Sequence, residues 1–156
     1  MTARSASHAT FVIEREYPFA REKVFAAWAD PEAKRRWFAC HDDWAPGKHE
    51  LDFRPGGREH LTTVEPNGVA HIFNAVYFDI VRDERIVYAY EMHLDDRRIS
   101  VSLATIEFKA AGKGTKLVFT EQGAFLDGYD YPAEREEGTR VGLENLEKEL
   151  RRRGLS

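Results

Sequence analysis

The 156-residue chain is predicted to fold as α+β, a curved seven-stranded antiparallel sheet wrapped around a long C-terminal helix, with two short helices between strands 1 and 2. Three observations carry this. The hydrophobic periodicity runs strand, helix, helix, six strands, long helix. The strands are joined mostly by hairpin turns, which pair neighbours antiparallel. A curved sheet must also bury its concave face, and the terminal helix is its natural cover. The length suits one domain, residues 10–156, behind a flexible lead-in at 1–9.

Each element follows from local pattern. From Thr10 to Tyr17, Phe11, Ile13, Arg15 and Tyr17 alternate with Val12, Glu14 and Glu16, a strand. From Arg21 the spacing turns helical, with Val24, Phe25 and Trp28 forming one stripe. Asp30-Pro31 restarts the helix: Asp30 can cap it, and Pro31 at the first helical position loses no needed N–H. That helix ends near Trp37-Phe38. Alternation resumes from Lys48 to Arg54, and Pro55-Gly56-Gly57 turns the chain into a strand reaching Glu65. Pro66-Asn67-Gly68 makes the next hairpin. Val69–Val81, Arg85–Leu94, Arg98–Phe108 and Thr115–Gln122 complete the strands. Gly123 to Tyr131 reads as a loop, and Pro132 opens a helix to Arg153 with Leu143, Leu146 and Leu150 on its inner stripe. Gly138 and Gly142 sit near that stripe, where close packing or a ligand excludes a side chain.

Composition bounds the partners. The 23 basic and 27 acidic residues leave a net charge of −4, which offers no general attraction to nucleic acid or anionic membrane. The longest apolar run, Val24 to Ala29, is six residues, far below the roughly 20 of a membrane-spanning helix. The N-terminus carries no apolar secretion segment, and the lone Cys40 can form no internal disulfide, so a cytoplasmic address is expected. Lys34-Arg35-Arg36 and Arg151-Arg152-Arg153 read as solvated helix ends.

Four motifs resemble a known family. They are Tyr17-x-x-x-Arg21-Glu22-x-Val24-Phe25-x-Ala27-Trp28-x-Asp30-Pro31-Glu32 with Arg36-Trp37, Asp52-Phe53-Arg54-Pro55-Gly56-Gly57-Arg58, Asp83-Glu84-Arg85-Ile86-Val87-Tyr88 running on to Tyr90-Glu91-Met92, and Gly114-Thr115-Lys116-Leu117. Together they are similar to bacterial proteins grouped with the activator of heat-shock-protein-90 ATPase, within the SRPBCC or START-like superfamily. The resemblance implies a helix-grip architecture like that of the birch pollen allergen. It also implies three classes of role: hydrophobic-ligand carrier, co-chaperone, or cyclase. Such proteins often carry a tryptophan in the terminal helix after the Arg-Glu-x-Gly stretch, where this chain has Thr139.

Candidate site residues are the aromatic set Trp37, Phe38, Trp44, Phe53, Phe73, Tyr77, Tyr90, Phe119, Phe125 and Tyr129, because buried ligand pockets are lined by such side chains. Trp44, Phe125 and Tyr129 are assigned to a loop rim. Gly142 is added as a position that leaves space, and Glu121 as a carboxylate sharing a face with Leu117 and Phe119, to be paired by Arg15 or a tyrosine hydroxyl. His60, His71 and His93 fall on successive strands but lack ligand spacing, and Cys40-His41 lacks the geometry of a nucleophile and base, so neither a metal nor a cofactor is expected. The leading expectation is a module binding a small hydrophobic or amphipathic ligand between sheet and helix. The alternatives are a stimulator of a heat-shock ATPase, and a cyclase or hydrolase using Glu121 as base. Because Val101 and Leu103, and Ile72 and Val76, leave a second sheet face apolar, a homodimer through the outer sheet is expected.

Overall fold

The structure, a computed structural model, describes residues 4–38, 45–129 and 131–154. Along the chain come β1 (Ala6–Tyr17), α1 (Arg21–Ala29), α2 (Pro31–Phe38), β2 (Ala45–Leu51), β3 (Arg58–Val64), β4 (Ala70–Val81), β5 (Arg85–Leu94), β6 (Arg97–Ala111), β7 (Gly114–Leu126) and α3 (Pro132–Gly154). The strands form one antiparallel sheet ordered β1-β7-β6-β5-β4-β3-β2. The expected α+β grip is therefore the observed one.

Local chemistry explains the joints. Asp30 Oδ1 accepts the Glu32 N–H at 3.0 Å, the cap that lets α2 start on Pro31. Between β2 and β3, Gly56 takes φ +83°, and a Cβ at Gly57 would collide with the Asp52 carbonyl, so this turn needs both glycines. Tyr17 at the end of β1 donates its hydroxyl to the Leu143 carbonyl at 2.9 Å and ties strand to α3.

The concave face and α3 enclose the core. Ile13, Ile86, Ile106 and Leu117 from the strands meet Val24 and Trp28 of α1 and Leu143, Leu146 and Leu150 of α3, all buried. On β6, Ser100, Ser102, Ala104, Ile106 and Phe108 face inward, while Val101 and Leu103 lie on the convex side at 39% and 40% exposure, near Val12 at 52%. Among the described residues no helix is long and apolar enough to cross a membrane.

Three expectations need correction. β1 begins at Ala6, so Ala6 to Ala9, read as part of the lead-in, pair with Gly123 to Leu126. By the same pairing β7 extends to Leu126, and Phe125 belongs to a strand and is buried, not a loop rim. Ser7, Ala9, Gly123 and Ala124 at these ends are small, so alternation does not report them; each strand instead supplies the other's backbone partners. Lys34 is not a solvated helix end, because its side chain is fully buried.

Candidate functional site

The sheet register builds a half-open cavity of about 340 Å³ under the N-terminal half of α3. Its floor is aromatic, with Phe73, Tyr88, Tyr90 and Phe119 from β4, β5 and β7. One side is Trp28, Trp37 and Phe38 from α1 and α2, and its roof is Arg135, Gly138, Thr139, Gly142 and Leu143 from α3. Room exists because small residues stand at the centre of the concave face: Tyr90 lies opposite Ser102, Ser102 opposite Gly123, and Ala104 opposite Glu121. Above, a Cβ at Gly138 would meet nothing within 4 Å, so this glycine opens onto space, not close packing. Thr139, standing where the resembling family often has tryptophan, also lines the cavity.

The polar part of the lining centres on Glu121, Tyr90 and Arg135, the last backed by Ser100, and Glu134 and His71 also line the cavity. The Tyr90 hydroxyl reaches both Glu121 oxygens, at 2.9 and 2.8 Å, across the small residues of β6. Arg135 donates to the Tyr90 oxygen at 2.9 Å and to Ser100 Oγ at 2.8 Å, and its Nη1 lies 3.6 Å from Glu121 Oε2. Burial raises the Glu121 carboxyl above its ordinary value; the Arg135 charge and the Tyr90 hydrogen bond oppose but do not cancel this. Of the two expected partners, a tyrosine hydroxyl is the one found. Arg15 turns instead toward Glu144, at 3.8 Å.

Of the residues expected at a site, Trp37, Phe38, Tyr90, Phe119, Glu121, Tyr129 and Gly142 line this cavity, with Phe73. Phe53 does not; its ring packs edge-on against Phe25 and Tyr77. Phe125 lies beneath the Arg135 guanidinium, 5.5 Å from ring centroid to Cζ. Trp44 and Cys40 lie outside the described residues. Tyr77 belongs to a second, fully buried cluster. Lys34 Nζ is 2.6 Å from Glu59 Oε1 and 3.1 Å from the Tyr77 oxygen, the Tyr77 hydroxyl donates to Glu59 Oε1 at 2.6 Å, and His49 Nε2 is 2.9 Å from Glu59 Oε2. Rings of Trp28, Phe38 and Tyr88, which line the cavity, surround the ammonium on its other sides. Burial alone would raise the Glu59 carboxyl, yet the Lys34 charge and the contacts with His49 and Tyr77 hold it below the usual range.

Sequence reasoning missed Arg135, Tyr88, Lys34, Glu59 and His49. A signal existed for the first: Arg135, Gly138, Thr139 and Gly142 recur at i, i+3, i+4 and i+7, one helical face. None existed for Lys34, whose partner comes 25 residues later on β3. The three histidines stay apart in function: His93 faces Ile72 in register, His60 bonds Asn74 and Thr62, and His71 bonds Glu65. Among the described residues no group of side chains is arranged to hold a metal ion.

Comparison with known proteins agrees with this fold. The family model described as Activator of Hsp90 ATPase homolog 1-like protein matches residues 18–153. The structure of an uncharacterised protein from Rhizobium leguminosarum is similar at 53% identity and TM-score 0.93, covering 97% of this chain and 99% of that one. A Rhizobium loti protein is similar at 43% identity and TM-score 0.86, covering 93% and 99%. An AHSA1-like protein from Aeromonas hydrophila, 22% identical over 94% and 96% of the two chains, shares the fold at TM-score 0.69. No curated protein matches the sequence.

Proposed function

The chain belongs to the Activator of Hsp90 ATPase homolog 1-like protein family, and from that membership we propose that it is a binding module for a small hydrophobic or amphipathic ligand held between the concave sheet and α3. The observation that supports this most is the mostly aromatic and aliphatic cavity of about 340 Å³ with a few polar side chains in its lining, a size and lining suited to small organic molecules. Glu121, Tyr90 and Arg135 form the bonded polar group of the lining, with Glu134 and His71 as further polar residues, so orientation comes from these side chains and affinity from apolar contact. Displacement of a fluorescent apolar probe, with native mass spectrometry to count bound molecules, tests the reading. The expected result is saturable binding of one molecule per chain; absence of binding across a broad apolar panel would overturn it.

The family description itself favours a second reading, a co-chaperone-like stimulation of a heat-shock ATPase. An unchanged ATP turnover of such a chaperone in the presence of excess protein would remove it.

A further inference from the structure

The polar part of the lining narrows the class of ligand further, on the premise that the cavity holds one. An ionised carboxylate only accepts hydrogen bonds and has about four lone-pair sites. Among the described residues, the hydroxyl of Tyr90 is the one donor bonded to Glu121, and it is shared between both oxygens. Arg135 stands at 3.6 Å, beyond hydrogen-bond length, because its Nη1 and Nη2 are directed at Tyr90 and Ser100. The Ser102 hydroxyl is near enough to favour the carboxylate form but has no hydrogen-bond partner among the described residues. Glu121 is 1% exposed, so water does not supply the missing donors in bulk. A buried acceptor in this condition costs free energy that a donor on the ligand recovers.

Charge decides which donor. Glu121 and Glu134 both line the cavity and oppose a ligand carboxylate, while Arg135, 3.6 Å from Glu121, opposes an ammonium placed at the same carboxylate. An uncharged hydroxyl escapes both penalties and donates to the carboxylate directly. Around that point the lining is apolar, with Trp37, Phe38, Phe73, Phe119 and Leu143. We propose that the cavity selects uncharged, mostly apolar molecules bearing a hydroxyl, whose O–H donates to Glu121 while the remainder packs against the aromatic floor.

The test varies the head group at constant tail: para-alkylphenols, the matching alkylbenzenes and the matching para-alkylbenzoates, measured calorimetrically at neutral pH alongside the fluorescent apolar probe. The expected result is that the phenol binds about tenfold tighter than the alkylbenzene and than the benzoate, the worth of one hydrogen bond to a buried charged acceptor. Glu121→Gln should narrow the phenol advantage and leave alkylbenzene affinity unchanged. Tyr90→Phe, which removes the carboxylate's internal donor, should widen that advantage. A purely structural role for Glu121 would move neither ratio, and that result overturns the proposal. Benzoate binding tightest would make Arg135 the anchor and overturn it too. Equal affinities for all three would sink the hydroxyl preference but leave ligand binding standing. If neither the series nor the probe binds, both readings fall.

Discussion

Replacing Lys34 by methionine is expected to cost about 3–5 kcal/mol, the penalty for removing one partner of a buried ion pair. Both side chains of the Lys34–Glu59 pair are fully buried, so no solvent is available to rescue the carboxylate left behind. Methionine keeps much of the packing against the Trp28 and Phe38 rings, which isolates the electrostatic part of the loss. Glu59 would retain the Tyr77 hydroxyl and the His49 contact, and these place the cost near the lower end of that range. Against a typical domain stability of about 5–15 kcal/mol, the effect is large. Adding Glu59→Leu removes the stranded charge, and adding Tyr77→Phe removes the hydroxyl that would then lose its acceptor. This triple variant still leaves the His49 ring without its Glu59 partner and is expected to recover part of the deficit. Urea titration followed by tryptophan fluorescence reads it, since the Trp28 ring lies 5.3 Å from the ammonium. Midpoints would be compared at a common slope. A loss below about 1 kcal/mol for Lys34→Met, or a triple variant less stable than the single one, would refute the buried-pair argument.

Three further outcomes are expected. Burial would raise the Glu149 carboxyl, but hydrogen bonds from Arg36 and Arg152 hold it at about 2, against an ordinary 4.5. Its contribution is therefore complete above pH 4.5 and fades as pH falls toward 2. The interval corresponds to roughly 3 kcal/mol, and solvent screening of the half-exposed arginines reduces it to about 1–2. Arg36→Met should raise the midpoint of acid unfolding, and an unmoved midpoint would count against this pairing. Gly138→Ala should stabilise α3 by about 0.5–1 kcal/mol, while Gly138→Phe should fill the cavity and abolish probe displacement without unfolding the chain. Probe affinity unchanged in Gly138→Phe would place binding elsewhere. Finally, the exposed Val12, Val101 and Leu103 on the convex face are expected to pair two copies, so light scattering at micromolar concentration should report a dimer that Leu103→Glu converts to monomer. A monomeric parent protein would reject that pairing.

Legibility in the sequence varied with how local the determinant was. β5 is read at Arg85–Leu94 in both sequence and structure, because alternation and the charged corner before it are complete within ten residues. Asp30-Pro31 located the start of α2 for the same reason. The outer ends of β1 and β7 were not legible, since Ser7, Ala9, Gly123 and Ala124 carry no period and are ordered by each other. At the site, Trp37, Phe38, Tyr90, Phe119 and Glu121 could be singled out by type and face, but Phe53 and Tyr77, equally aromatic, turned out to pack beside the Lys34 cluster.

The sequence by itself determined the order and kind of elements, the antiparallel pairing and the inward stripe of α3, because hydrophobic periodicity, caps and turn residues act over a few positions. Only the tertiary structure decided which aromatic rings share a cavity, that Arg135 reaches over Tyr90 toward Glu121, and that Lys34 is sealed against Glu59. Those outcomes depend on the registers that set Ser102 and Ala104 opposite Tyr90 and Glu121, and on where α3 lies across the sheet. Burial of a charge depends on partners brought from distant strands, and no local pattern carries that information.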